Sequence, residues 1–120
     1  MQTEKTVLIV EDDKDIGSVL ATFISEETPY HALLVTNGPD ALQAVSTMRP
    51  NLLLLDYRLP GINGIELYDH IQRVEGREDI PVIMISGTLP YQEIAQRHLV
   101  GMEKPFDLDD LLQTIEQLIQ

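Results

Sequence analysis

The chain has 120 residues, 20 of them acidic and 8 basic, for a net charge of −12. That length suits one domain spanning residues 1–120, no apolar run approaches the ~18 residues of a membrane span, and the absence of Cys excludes disulfides and thiolate metal or redox sites. So acidic a surface repels phosphate backbones, which argues against direct nucleic-acid binding, and the lack of a signal peptide favours the cytoplasm.

Residues 1–5 read as a polar tail. Thr6–Val10 is a short β-branched apolar run, hence a strand. Glu11, Asp12 and Asp13 follow at once. Ile16, Val19, Leu20, Phe23 and Ile24 then mark one face of a helix capped by the preceding aspartates, Asp13 above all, and ended by Thr28-Pro29. Tyr30–Val35 predicts a second strand. Asn37-Gly38-Pro39 leads into a second helix, with Pro39 in its first turn and Arg49-Pro50 beyond its end.

Asn51–Leu55 predicts a third strand whose four consecutive leucines require cover on both faces, as in the middle of a parallel sheet. Pro60, Gly61, Asn63 and Gly64 mark a loop. Leu67, Tyr68, Ile71 and Val74 predict a third helix, Val82–Ile85 a fourth strand, and Pro90 to about Arg97 a short fourth helix. Val100–Glu103 is a weaker fifth strand, and Asp107 caps a last helix with Leu108, Leu111, Leu112, Ile115, Leu118 and Ile119 on its apolar side. Five strand–helix alternations mean right-handed βαβ units and a doubly wound parallel sheet with helices on both faces.

Ligands of such sheets sit outside the carboxyl ends of the strands. Just past those ends come Glu11, Asp12 and Asp13, then Asp56, then Ser86 and Gly87, then Lys104 and Pro105. Clustered carboxylates need an offsetting charge. Hard oxygen ligands suit Mg²⁺, which keeps several waters and takes few carboxylates. A carboxylate beside such an ion can attack phosphorus, while a lysine and a hydroxyl stabilise charge on the phosphoryl oxygens. The chemistry so assembled is phosphoryl transfer onto an aspartate. His31, His70 and His98 share no metal-ligand spacing and read as structural. Met48, Met84 and Met102 read as core.

Four motifs then stand in order, each at its own strand end: LIVEDD at 8–13, LLLLDYRLPGINGIEL at 52–67, VIMISG at 82–87 and EKPF at 103–106. Together they resemble the receiver domain of bacterial two-component response regulators over essentially the whole chain. The resemblance implies a flavodoxin-like, five-stranded sheet of order 2-1-3-4-5. It implies Asp56 as phosphoacceptor, Ser86 and Lys104 as groups that contact the phosphoryl oxygens, and Mg²⁺ held by Glu11, Asp12, Asp56 and the backbone carbonyl of Arg58. The Lys104–Pro105 peptide is often cis in this family. Implied partners are a sensor histidine kinase or phosphotransfer protein and a downstream protein target, with slow self-dephosphorylation but no dedicated enzymatic turnover.

Two departures from the family stand out. The aromatic usual three residues before the lysine is Gly101, so no side chain can swing there, and Tyr91 is the candidate to substitute in space. Ser86 and Lys104 are 18 positions apart, about one helical turn fewer than is usual in the family. Both fall on the family's signalling face, which is also the expected face for any homodimer. Phosphorylation is therefore expected to survive with an unusual output surface. The alternative is a phosphorylation-independent interaction module on the same fold. A phosphatase would need a second Asp where Arg58 stands, and a flavodoxin would need a phosphate-cradling loop where the acidic cluster stands. With nothing after Gln120, the expected contexts are a single-domain regulator, a phosphorelay intermediate or a receiver excised from a longer protein.

Overall fold

A computed structural model describes residues 4–119; residues 1–3 of the expected polar tail lie outside them. Among the described residues the strands are β1 (Thr6–Val10), β2 (His31–Val35), β3 (Leu52–Asp56), β4 (Val82–Ser86) and β5 (Val100–Glu103). They alternate with α1 (Lys14–Glu27), α2 (Gly38–Thr47), α3 (Gly64–Gln72), α4 (Tyr91–Gln96) and α5 (Leu108–Leu118). The strands pair in parallel in the order β2-β1-β3-β4-β5, which is the flavodoxin-like order. No described helix is long and apolar enough to cross a membrane.

The two-residue period of a strand divides the core into two layers. Leu8, Val10, Leu53, Leu55, Val82 and Met84 pack against α2, α3 and α4 through residues such as Val45, Leu67 and Ile94. Val7, Ile9, Leu52, Leu54, Ile83 and Ile85 pack against α1 and α5 through Leu20, Ile24, Leu111 and Ile115. Every residue of β3 and β4 is buried, as the leucine run required. The side chains of Asp13, Asn37, Asn63 and Asp107 cap α1, α2, α3 and α5.

The expected apolar face of α1 is corrected. Its buried residues are Gly17, Leu20 and Ile24, whereas Ile16 is 43% and Val19 60% exposed. The reason is a close approach: a Cβ on Gly17 would lie 2.7 Å from Leu34 Cδ1. Helix and β2 touch along the glycine, and that contact turns Ile16 and Val19 toward solvent. At the start of α5 the first apolar residue, Leu108, is 37% exposed.

α4 has six residues and its N-cap, Pro90, makes no side-chain capping bond. It ends at Gln96, and two residues on His98 has φ 57°. Past it, the Leu99 N–H donates to the Ile94 carbonyl at 3.0 Å. Beside this short helix, a Cβ on Gly101 would lie 3.0 Å from Leu89 Cδ1 and 3.1 Å from Ile94 Cδ1. The place over Gly101 is therefore taken by two buried aliphatic residues. Tyr91, expected as a substitute there, is 61% exposed.

Candidate functional site

The parallel register assembles the site. Ile9 pairs with Leu54 and Val10 with Leu55, so one step further along Glu11 stands beside Asp56. Asp56 pairs with Ile85, and Ser86 with Glu103. Asp56 and Ser86 are thus the last residues of their strands, one position inside the expected loop starts. The backbone fixes the edge further: the Glu11 N–H donates to Val35 O at 3.1 Å, the Tyr57 N–H to Ile85 O at 2.8 Å and the Lys104 N–H to Ser86 O at 2.9 Å.

Glu11, Asp56 and Ser86 are the three buried polar or charged residues among those described. Asp12 is exposed. One carboxylate oxygen from each of Glu11, Asp12 and Asp56 lies within 4.8 Å of the others. Lys104 Nζ faces this group, 3.5 Å from Glu11 Oε1 and 3.6 Å from Asp56 Oδ2. Its peptide bond to Pro105 is cis. The Arg58 N–H donates to Asp56 Oδ1 at 3.2 Å, while its side chain is exposed. Ser86 Oγ accepts the Thr88 N–H at 3.3 Å. Glu11, Asp12, Asp56, Lys104 and the Arg58 backbone are therefore gathered together, and Ser86 stands at the next strand end.

Burial pushes the Glu11 carboxyl up to about 7, and the neighbouring Asp56 adds to the rise; the Asp13 N–H and the Lys104 ammonium oppose it. That balance is informative. One ammonium group does not offset two buried carboxylates with a third beside them. The remaining negative charge is presented by hard oxygen donors, which fit a small divalent cation such as Mg²⁺ better than a soft metal.

Two further arrangements frame the site. The Asn63 side chain accepts the Glu66 N–H at 2.9 Å, and Glu66 Oε1 accepts the Asn63 N–H at 3.1 Å, a capping box at the start of α3. The spacing Asn63-x-x-Glu66 is the sequence signal for it. Farther away, Arg97 grips Asp69 of α3 with two bonds of 2.8 Å, and Glu93 of α4 through its carboxylate at 2.9 Å and its backbone carbonyl at 3.1 Å. Glu93 and Arg97 stand at the local i,i+4 spacing, but no local spacing announces the contact with Asp69, 28 positions away.

A family model described as the response regulator receiver domain matches residues 7–116. The sporulation initiation phosphotransferase F of Bacillus subtilis is 31% identical over 123 residues, covering 99% of this chain and 96% of that protein. The phosphate regulon transcriptional regulatory protein PhoB of Pseudomonas aeruginosa is 32% identical over 120 residues. The match takes in 97% of this chain but 52% of PhoB, so the chain spans about half the length of that relative. Among solved structures, the receiver domain of NtrX from Brucella abortus superposes with a TM-score of 0.82 at 29% identity, covering 94% of this chain and 97% of that one. The strand order, the acidic edge and these similarities agree: this chain belongs to the response regulator receiver domain family.

Proposed function

We propose that the chain is a phosphorylatable switch whose Asp56 takes a phosphoryl group from the phosphohistidine of a sensor histidine kinase or phosphotransfer protein. A carboxylate oxygen of Asp56 attacks phosphorus, the P–N bond to the donor imidazole breaks with its electron pair going to nitrogen, and an acyl phosphate remains on Asp56. The observation that carries this reading is the meeting of three carboxylates with Lys104 Nζ, 3.6 Å from Asp56 Oδ2. The Arg58 N–H holds Oδ1 of the same carboxylate. Lys104 offsets negative charge, and Ser86 is the hydroxyl available to the phosphoryl oxygens. Glu11, Asp12, Asp56 and the Arg58 carbonyl would hold Mg²⁺, which when bound supplies positive charge against the phosphoryl oxygens. The expected setting is the cytoplasm, with a protein as downstream target.

The test is intact mass after incubation with acetyl phosphate and Mg²⁺, beside Asp56→Asn. Gain of one phosphoryl group by the parent chain alone is the expected result. No gain by folded protein, with a cognate kinase failing as well, refutes the switch and favours the phosphorylation-independent interaction module. Leu89 and Ile94 packed over Gly101 support an altered output face, since no side chain exists there to change rotamer.

A further inference from the structure

We infer that Asn63 and Glu66 are positioning residues for Asp56, acting through the 58–63 turn; the inference rests on the proposed role of Asp56. The Asp56 carboxylate is oriented from that turn by the Arg58 N–H on Oδ1 at 3.2 Å. Arg58 in turn forms an isolated antiparallel bridge with Asn63. The next rung is the Gly64 N–H on the Tyr57 carbonyl at 2.7 Å. The turn therefore leaves Asp56 and closes directly on the first residues of α3.

Leu59 and Ile62 anchor the turn by packing against the core, but its tip between them is open. Pro60 and Gly61 are exposed, as is the Arg58 side chain, and Gly61 has φ 77°. The capping box adds the constraint on Asn63 itself. Glu66 Oε1 accepts the Asn63 N–H, and Asn63 Oδ1 accepts the Glu66 N–H. Both bonds fix Asn63 in the extended conformation, φ −89° and ψ 168°, that aligns it with Arg58. Loss of either bond loosens Asn63, then Arg58, then the amide that aims Asp56. Glu66 is exposed, so its removal takes nothing from the core.

Glu66 also carries a negative charge in the first turn of a helix, which is favourable by itself. The two contributions separate cleanly. Glu66→Gln keeps the oxygen acceptor and loses the charge, whereas Glu66→Ala loses both. The experiment follows phosphorylation by acetyl phosphate with Mg²⁺ through intact mass, and exchange of the Arg58 amide by NMR. Glu66→Ala is expected to slow phosphorylation about tenfold, as a misplaced reacting group does, and to raise Arg58 exchange about as much, with the β1 and β3 amides unchanged. Glu66→Gln is expected to stay within about twofold of the parent in both. Asn63→Ala should repeat the Glu66→Ala result and Asn63→Asp should restore the parent.

Parent-like rates and Arg58 protection in Glu66→Ala overturn the inference. So does a Glu66→Gln variant as slow as Glu66→Ala, which would assign the effect to charge. If the parent chain takes up no phosphoryl group, the proposed role of Asp56 falls. Arg58 exchange in the same variants then decides by itself whether the capping box orders the turn.

Discussion

Replacing Gly64 by Ala probes how closely α3 is docked against the site. A Cβ at this position would lie 2.6 Å from Met84 Sδ, 2.9 Å from the Asp56 carbonyl oxygen and 2.9 Å from Tyr57 Cα. Met84 is fully buried, so its side chain has little room to retreat, and the other two atoms are backbone. Ordinary contact, from 3.4 Å, requires α3 to withdraw by about 0.5 Å from the two backbone atoms and about 0.8 Å from Met84 Sδ, against the pull of the Gly64 N–H on Tyr57 O. Such overpacking costs about 1–3 kcal/mol. Lower unfolded-state entropy returns about 0.4–1 kcal/mol, leaving a net loss of about 1–2 kcal/mol. For a chain of this length that is a fall in Tm of about 4–8 °C. Urea and thermal unfolding of Gly64→Ala and Gly87→Ala, measured side by side, give the answer. A Cβ on Gly87 meets nothing within 4 Å, so that variant should stay within about 0.5 kcal/mol of the parent. Equal stability of the two variants would refute the packing argument.

Stability in metal-free buffer should fall as pH rises from about 4.5 to 7. The folded Glu11 carboxyl keeps its proton to about 7, against an ordinary 4.5, so the folded state binds the extra proton in that window. The effect is about 3 kcal/mol at most. Glu11→Gln should flatten the slope of urea midpoints against pH, and an unchanged slope in that variant rules the assignment out. Between α3 and α4, Arg97→Ala should cost about 1 kcal/mol, the discount reflecting the partly exposed partners. Arg97 holds the Asp69 carboxyl below its ordinary 3.8, so this stabilisation is present above that value and fades as pH falls through the lower folded one. Amide exchange should rise in α4 and not in β3; unchanged α4 exchange in Arg97→Ala would count against the clamp.

Much of this architecture is written locally. Four leucines at 52–55 demand cover on both faces, and they form the fully buried β3. Asp13, Asn37 and Asp107 stand where caps belong and act as caps. The site is legible for a topological reason: in a parallel sheet all carboxyl ends share one edge, so residues after successive strands meet without any further information. What stays hidden depends on contacts between distant segments. The rotation of α1 follows from Gly17 against Leu34, a pairing no helical period contains. The cover over Gly101 comes from Leu89 and Ile94, and Arg77 Nε reaches back to the carbonyls of Val45 and Met48 at the end of α2, 2.7 and 3.1 Å away. Each is decided by where a neighbouring element lies.

The site and the face expected to report on it are held with unequal strength. Asp56 and Ser86 end the two strands that are buried throughout, so a new charge there cannot be relieved by moving β3 or β4. Relief has to come from segments with fewer restraints, which is where local opening is cheapest. α4 fits that description. It has six residues and no side-chain cap, buries Ile94 alone among its own residues, and is tied to α3 by an ion pair whose carboxylate, Asp69, is 39% exposed. A direct mechanical link leads to it, because the Thr88 N–H donates to Ser86 Oγ. A phosphoryl group that engaged Ser86 Oγ would compete with that bond two residues into the loop that carries Leu89 to its place over Gly101. Should Asp56 be phosphorylated as proposed, the coupling from site to surface would run through backbone and aliphatic packing, with α4 as the element whose displacement reports it.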